Sequence, residues 1–140
     1  MDVFKKLAYL DFPLGSYVVI GSGILAALEL REAKDLDIAV DSILLSELKK
    51  GREYKKEFRH NKLFLVKDDV EIITQLDWED YPTKISEAIK SADLIKGFPF
   101  LNIKETIKFK KALGREKDFK DIKLIENYLA KNIIMKNDSL

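Results

Sequence analysis

The stretch that most constrains this chain is residues 17–40. Tyr17-Val18-Val19-Ile20 has the β-branched, aromatic composition of a short buried strand. Gly21-Ser22-Gly23 turns the chain, and Ile24 to Leu30 reads as a short apolar helix. Leu36 to Val40 is a second strand, with aspartates at 35 and 37. Strand, glycine turn, helix and strand in this order form a unit of an α/β sheet.

At 140 residues the chain is expected to form one domain, residues 1–140, and its 46% apolar content is enough to build a core. The formal net charge is only +1 although 35% of residues are charged, so a broad nucleic-acid-binding surface is not indicated. Cysteine is absent, which excludes disulfides, thiolate metal sites and a cysteine nucleophile. Met1 to Gly15 lacks the apolar centre of a signal peptide. The longest apolar stretch, Tyr17 to Leu28, contains Gly-Ser-Gly and is too short to span a bilayer. These features point to a cytoplasmic protein with no membrane association.

Elsewhere the local signals are mostly clear. Val3 to Leu10 has helical spacing and stops at Pro13 and Gly15. Ser42 to Lys50 reads as a helix with Ser42 or Ser46 as its cap and Gly51 as its stop. Phe58 and Leu63 to Val66 suggest strand, Lys67-Asp68-Asp69 turns, and Val70 to Gln75 returns as a hairpin. Pro82 to Lys90 reads as a helix, and Leu94 to Leu101 as one last short strand interrupted by Gly97 and Pro99. Asn102 caps a helix from Ile103 to Leu113, with Glu105 at the capping-box position and Gly114 as the stop. A final helix runs from about Lys117 to Lys131, and the tail from Asn137 is expected to fray. The expected architecture is α/β: a small mixed sheet flanked by helices over residues 17–101, then a C-terminal helical pair over 102–131.

Asp35 and Asp37 carry the first chemical signal. Residues two apart in a strand point to one face, roughly 6.5–7 Å apart. Two such carboxylates repel each other unless a cation lies between them, and Mg²⁺ suits hard oxygen ligands. A solvated Asp-x-Asp at a strand end is the plainer alternative. Gly21 and Ser22 weigh against it, because glycine lets a phosphate approach the backbone and serine adds a hydroxyl donor. An ordinary strand-to-helix turn would look the same locally. The motif is neither a Walker A loop nor a dinucleotide fingerprint, since the Lys-Ser/Thr of the first and the third glycine of the second are missing.

Glu71 is the candidate third carboxylate, because it sits in the apolar strand Val70-Glu71-Ile72-Ile73 and points with Ile73. A half-exposed strand would also accommodate it, and Asp69 and Asp77 are weaker candidates at turns. In the C-terminal helices Ile103, Ile107, Phe109 and Leu113 define one apolar face with Lys110 near its middle. Phe119, Ile122, Ile125 and Leu129 define the other, with Asp118 near its middle. Lys110 either reaches a phosphate, with Asp118 orienting Lys110 or Arg115, or forms a structural pair with Asp118. Lys104, Lys108, Lys111, Lys120 and Lys123 read as a solvated face. His60 falls in a loop, and one histidine supports neither a metal site nor a serine hydrolase. Trp78 and Tyr81 either stack a base or pack a loop onto the core.

Gly21-Ser22, followed after twelve residues by Asp35-Leu36-Asp37-Ile38, resembles the signature of the polymerase-beta-like nucleotidyltransferase superfamily. Arg31-Glu32-Ala33-Lys34-Asp35-Leu36-Asp37 looks like the form found in small prokaryotic members, including the AbiEii-type enzymes of toxin–antitoxin systems. Lys110 to Asp118 is similar to their "Lys…Gly-Arg-x-Lys-Asp" segment. The resemblance implies Mg²⁺ (or Mn²⁺) held by Asp35, Asp37 and Glu71, and NTP phosphates held by Gly21, Ser22 and Lys110. It implies transfer of a nucleoside monophosphate from the NTP to an acceptor hydroxyl, with pyrophosphate released. Glu71 stands where aspartate is usual, and little chain remains for an acceptor-binding domain. The acceptor site would then come from a partner protein or a second subunit. The alternative is a catalytically silent binding or regulatory module of the same fold, such as a toxin–antitoxin component.

Overall fold

A computed structural model describes residues 1–77 and 80–138. The described residues form a mixed α/β fold, a seven-stranded sheet with six helices, two of them the C-terminal pair. In chain order the elements are α1 (Val3–Leu10), β1 (Tyr17–Ile20), α2 (Ser22–Ala27), β2 (Leu36–Val40), α3 (Ser42–Lys50) and β3 (Lys55–Arg59). There follow β4 (Lys62–Lys67), β5 (Val70–Ile73), α4 (Ile85–Lys90), β6 (Asp93–Ile95), β7 (Phe98–Phe100), α5 (Ile103–Leu113) and α6 (Glu116–Asp138). Strand order is β3-β4-β5-β2-β1-β7-β6, with β2–β5 and β1–β7 parallel and the other described pairs antiparallel.

The centre of the sheet is a continuous apolar block. All four residues of β1 are buried, as are Leu36, Ile38, Ala39 and Val40 of β2. Antiparallel pairing of β1 with β2 sets Val19 opposite Ile38 and Ile20 opposite Asp37. Parallel pairing of β2 with β5 sets Leu36 opposite Val70 and Asp37 opposite Glu71. Strand alternation therefore gives one face to Val19, Leu36, Ile38, Val70 and Ile72, and the other to Ile20, Asp37 and Glu71. Helix α2 presses on the first face so closely that a Cβ on Gly23 would lie 2.6 Å from Val19 Cγ1. Helix α1 covers the same face, with the Phe4 ring 5.9 Å from that of Phe100 in an edge-on contact.

Several boundaries differ from the sequence expectation, each for a local reason. The region around Phe58 forms a separate edge strand, β3, because His60 and Asn61 both take positive φ and close a two-residue hairpin to β4. Leu94 to Leu101 is likewise a hairpin, since Lys96 and Gly97 take positive φ between β6 and β7. Helix α3 is capped by Asp41, whose carboxylate accepts from the Leu44 N–H at 2.9 Å, and not by Ser42 or Ser46. Helix α2 starts at Ser22 and is over by Ala27, and Glu29 takes φ 59 just beyond it. Helix α4 begins only at Ile85. Asn102 and Gly114 bound α5 as expected, the first accepting from the Glu105 N–H at 2.8 Å and the second in the left-handed conformation. Among the described residues no helix is long and apolar enough to cross a membrane.

Candidate active site

The β2–β5 register brings Asp37 and Glu71 side by side on one face, although they are far apart in the chain. Parallel neighbours lie about 4.8 Å apart, so the two carboxyls come within hydrogen-bonding reach. Burial, then the charge of Glu71 and that of Asp35, push Asp37 up to about 7, against a weaker pull from Lys110. Asp37 therefore holds its proton far above the ordinary carboxylate range. Glu71 also receives a hydrogen bond from Arg59 Nη1 at 3.1 Å, and Arg59 Nη2 binds Glu57 at 2.6 Å. The Arg59 guanidinium lies over the Phe64 ring, 5.1 Å from its centroid, which keeps the cation at this end of the sheet.

Asp35 stands on an exposed bend just before β2. Its charge is felt at Asp37, but it is not drawn into the carboxyl pair. Among the described residues no three carboxylate or imidazole groups are gathered tightly enough to enclose a metal ion. The assembled part of the expected triad is Asp37 with Glu71. Asp69, the weaker candidate, is 2.8 Å from Lys6 in an ion pair behind the sheet.

Gly21 is bound to this pair by geometry. It follows Ile20, which is opposite Asp37, and its φ is +66. A Cβ there would lie 3.1 Å from Asp37 Oδ2. Only glycine takes that conformation without strain and leaves the approach to Asp37 open. Ser22, the next residue, is half-buried, and its Oγ accepts a hydrogen bond from Arg31 Nη2 at 2.9 Å.

Lys110 is buried, yet its closest partner is Asp121, at 2.8 Å, with Asp118 at 3.8 Å. Asp118 also binds Arg115, accepting from its Nε at 2.7 Å and its backbone N–H at 3.1 Å. Asp118 thus both orients Arg115 and pairs with Lys110 inside the helical pair. Arg31 grips Asp121 with two hydrogen bonds, both at 2.7 Å. Burial pushes the Asp121 carboxyl up, but hydrogen bonds from Arg31 and Lys110 outweigh it and hold the group below its ordinary value. A chain of alternating charge thus runs Arg31, Asp121, Lys110, Asp118, Arg115, and it joins the Ser22 turn to both C-terminal helices.

Sequence reasoning missed Asp121. The signal was present: Asp118, Asp121, Ile122 and Ile125 follow i, i+3, i+4, i+7 spacing, and all four are buried. Phe119, expected on that face, is 53% exposed. On α5 the fully buried positions are Thr106 and Lys110, while Ile103, Ile107 and Phe109 are partly covered. Lys104, Lys108, Lys111, Lys120 and Lys123 are exposed, as expected of a solvated face. Tyr81 packs into the core, edge-on to Phe109, with its hydroxyl donating to Glu105 at 2.6 Å, and it offers no face to a base. Trp78 lies outside the described residues. No protein-family model matches the chain, and comparison with curated proteins and with solved structures likewise gives no match.

Proposed function

We propose that the chain is a divalent-cation-dependent nucleotidyltransferase that moves a nucleoside monophosphate from an NTP to an acceptor hydroxyl and releases pyrophosphate. The observation that carries this reading is the Asp37–Glu71 pair. Two carboxyls face each other across β2 and β5, beside a glycine that keeps their approach clear. Asp37 in this setting retains a proton that a cation would displace. Its hard oxygen donors suit Mg²⁺ or Mn²⁺, with Asp35 at the head of the same strand as a further ligand. When bound, such an ion polarises phosphoryl oxygens and favours ionisation of an attacking hydroxyl.

The chain's own residues have separable parts in this scheme. Gly21 admits the phosphates to the backbone, and Ser22 donates to a phosphate oxygen. Lys110, tied to Asp121 in a buried ion pair, acts by its field on Asp37 and not as a direct phosphate contact. The exposed Arg115 side chain is the cation of this cluster with room to meet a ligand.

The Arg59–Glu71 ion pair favours a second reading. A guanidinium that already balances Glu71 does what a metal would otherwise do. The chain would then be a catalytically silent binding module of this fold, serving a partner protein such as a toxin–antitoxin counterpart. Thermal stabilisation by ATP, CTP, GTP and UTP, with and without Mg²⁺, separates the two. A ligand that binds only the folded state raises the melting temperature by mass action. A Mg²⁺-dependent shift that disappears in the Asp35→Asn/Asp37→Asn double variant is expected of the transferase. A well-folded protein with no shift for any NTP sinks it and leaves the binding module.

A further inference from the structure

We propose that Arg31 and Asp121 are positioning residues that aim the Ser22 hydroxyl at a phosphate group. The inference rests on the nucleotide reading above and adds to it a device that connects the C-terminal helices to the phosphate turn. A serine hydroxyl has one proton to donate and accepts through its oxygen. Arg31 can only donate, and its Nη2 occupies the acceptor side of Ser22 Oγ at 2.9 Å. The hydroxyl proton is therefore turned away from Arg31, and no described residue accepts it.

Arg31 alone would be a poor guide, being a long side chain on a loop. Asp121 removes that freedom by taking Nε and Nη2 of Arg31 in a two-point grip, both bonds at 2.7 Å. Asp121 is itself 4% exposed and receives a third bond, from Lys110 at 2.8 Å. Every member of the relay is thus held from a different element: Ser22 from α2, Arg31 from the loop after it, Asp121 from α6 and Lys110 from α5. A structural clamp between helix α6 and the core would need only Arg31 and Asp121. The additional bond from the same Nη2 to Ser22 is what assigns the relay to the site.

A mutant cycle on Ser22 and Arg31 tests this, using whichever of ATP, CTP, GTP and UTP with Mg²⁺ stabilises the wild-type protein most. Affinity is read by calorimetry on variants checked for an intact fold by circular dichroism. Ser22→Ala is expected to weaken binding about tenfold or more, as for a hydrogen bond to a charged group. Arg31→Lys keeps the charge but loses the fork, and it should weaken binding by a similar factor. The double variant should be no weaker than Ser22→Ala alone, because Arg31 acts through the hydroxyl. Multiplying losses, or an Arg31→Lys variant that binds like wild type, overturn the proposal. Should Arg31→Lys not fold, Asp121→Asn with Ser22→Ala gives the same cycle with the volume of the buried side chain retained. If the wild-type protein binds no NTP while well folded, the nucleotide reading falls first and the relay's ligand with it. Binding by wild type with additive variants rejects the relay alone.

Discussion

Replacing Asp37 with asparagine in metal-free buffer is expected to stabilise the fold at neutral and alkaline pH and to change it little in mild acid. Asp37 stands at about 7 in the folded protein, against its ordinary 3.8. The folded state therefore holds this proton more tightly than the unfolded chain does. Below about pH 4 both states are protonated and the group is neutral to stability. As pH rises towards 7 the unfolded chain releases the proton freely while the folded protein must keep it, so folding stability falls. At about 1.4 kcal/mol per unit, a rise of about three units costs about 4 kcal/mol once pH exceeds 7. This is an upper limit, since water entry and small backbone shifts relieve part of it. Asp37→Asn removes the titration while its amide can still donate to Glu71. Urea unfolding of both proteins in EDTA, at about pH 4, 5.5, 7 and 8.5, measures the difference directly. The gap should be small at the lowest pH and widen to a plateau of about 2–4 kcal/mol above pH 7. A gap independent of pH, or an asparagine variant less stable than wild type at the highest pH, would refute the reasoning from burial and from the charges of Glu71 and Asp35.

Two further substitutions probe the framework around the site. Lys110→Met leaves Asp118 and Asp121 buried with only Arg115 and Arg31 as partners, and a loss of about 3 kcal/mol is expected in urea unfolding, at the lower end for a broken buried pair. A melting temperature equal to that of wild type would show that the two arginines suffice. Gly23→Ala drives a methyl to 2.6 Å from Val19 Cγ1 and 3.3 Å from Leu36 Cδ1, so overpacking should cost about 1–3 kcal/mol. A variant as stable as wild type would mean that α2 can lift off the sheet without cost.

What the sequence determined by itself lies within one or two turns of chain. The helix over Val3–Leu10, the strands over Tyr17–Ile20 and Leu36–Val40, and the Asn102 and Gly114 ends of α5 follow from spacing, caps and glycine, all local effects. The glycine after β1 and the acids of β2 were each legible, but the antiparallel β1–β2 register is what sets Gly21 against Asp37. Edge strand β3 was legible only at Phe58, because Lys55 to Arg59 is mostly charged and exposed, and its partner β4 and turn residues His60 and Asn61 decide that it extends. Glu71 was legible as a misplaced charge, but only the parallel β2–β5 register sets it beside Asp37 and not one residue away, where it would face the opposite side. Arg31 and Asp121 are separated by 90 residues, and no periodicity links them. Helical spacing could place Asp121 on the inner side of α6, but not name its partner. That choice is made when α5 and α6 dock, because a buried carboxylate is tolerated only where cations from other elements meet it.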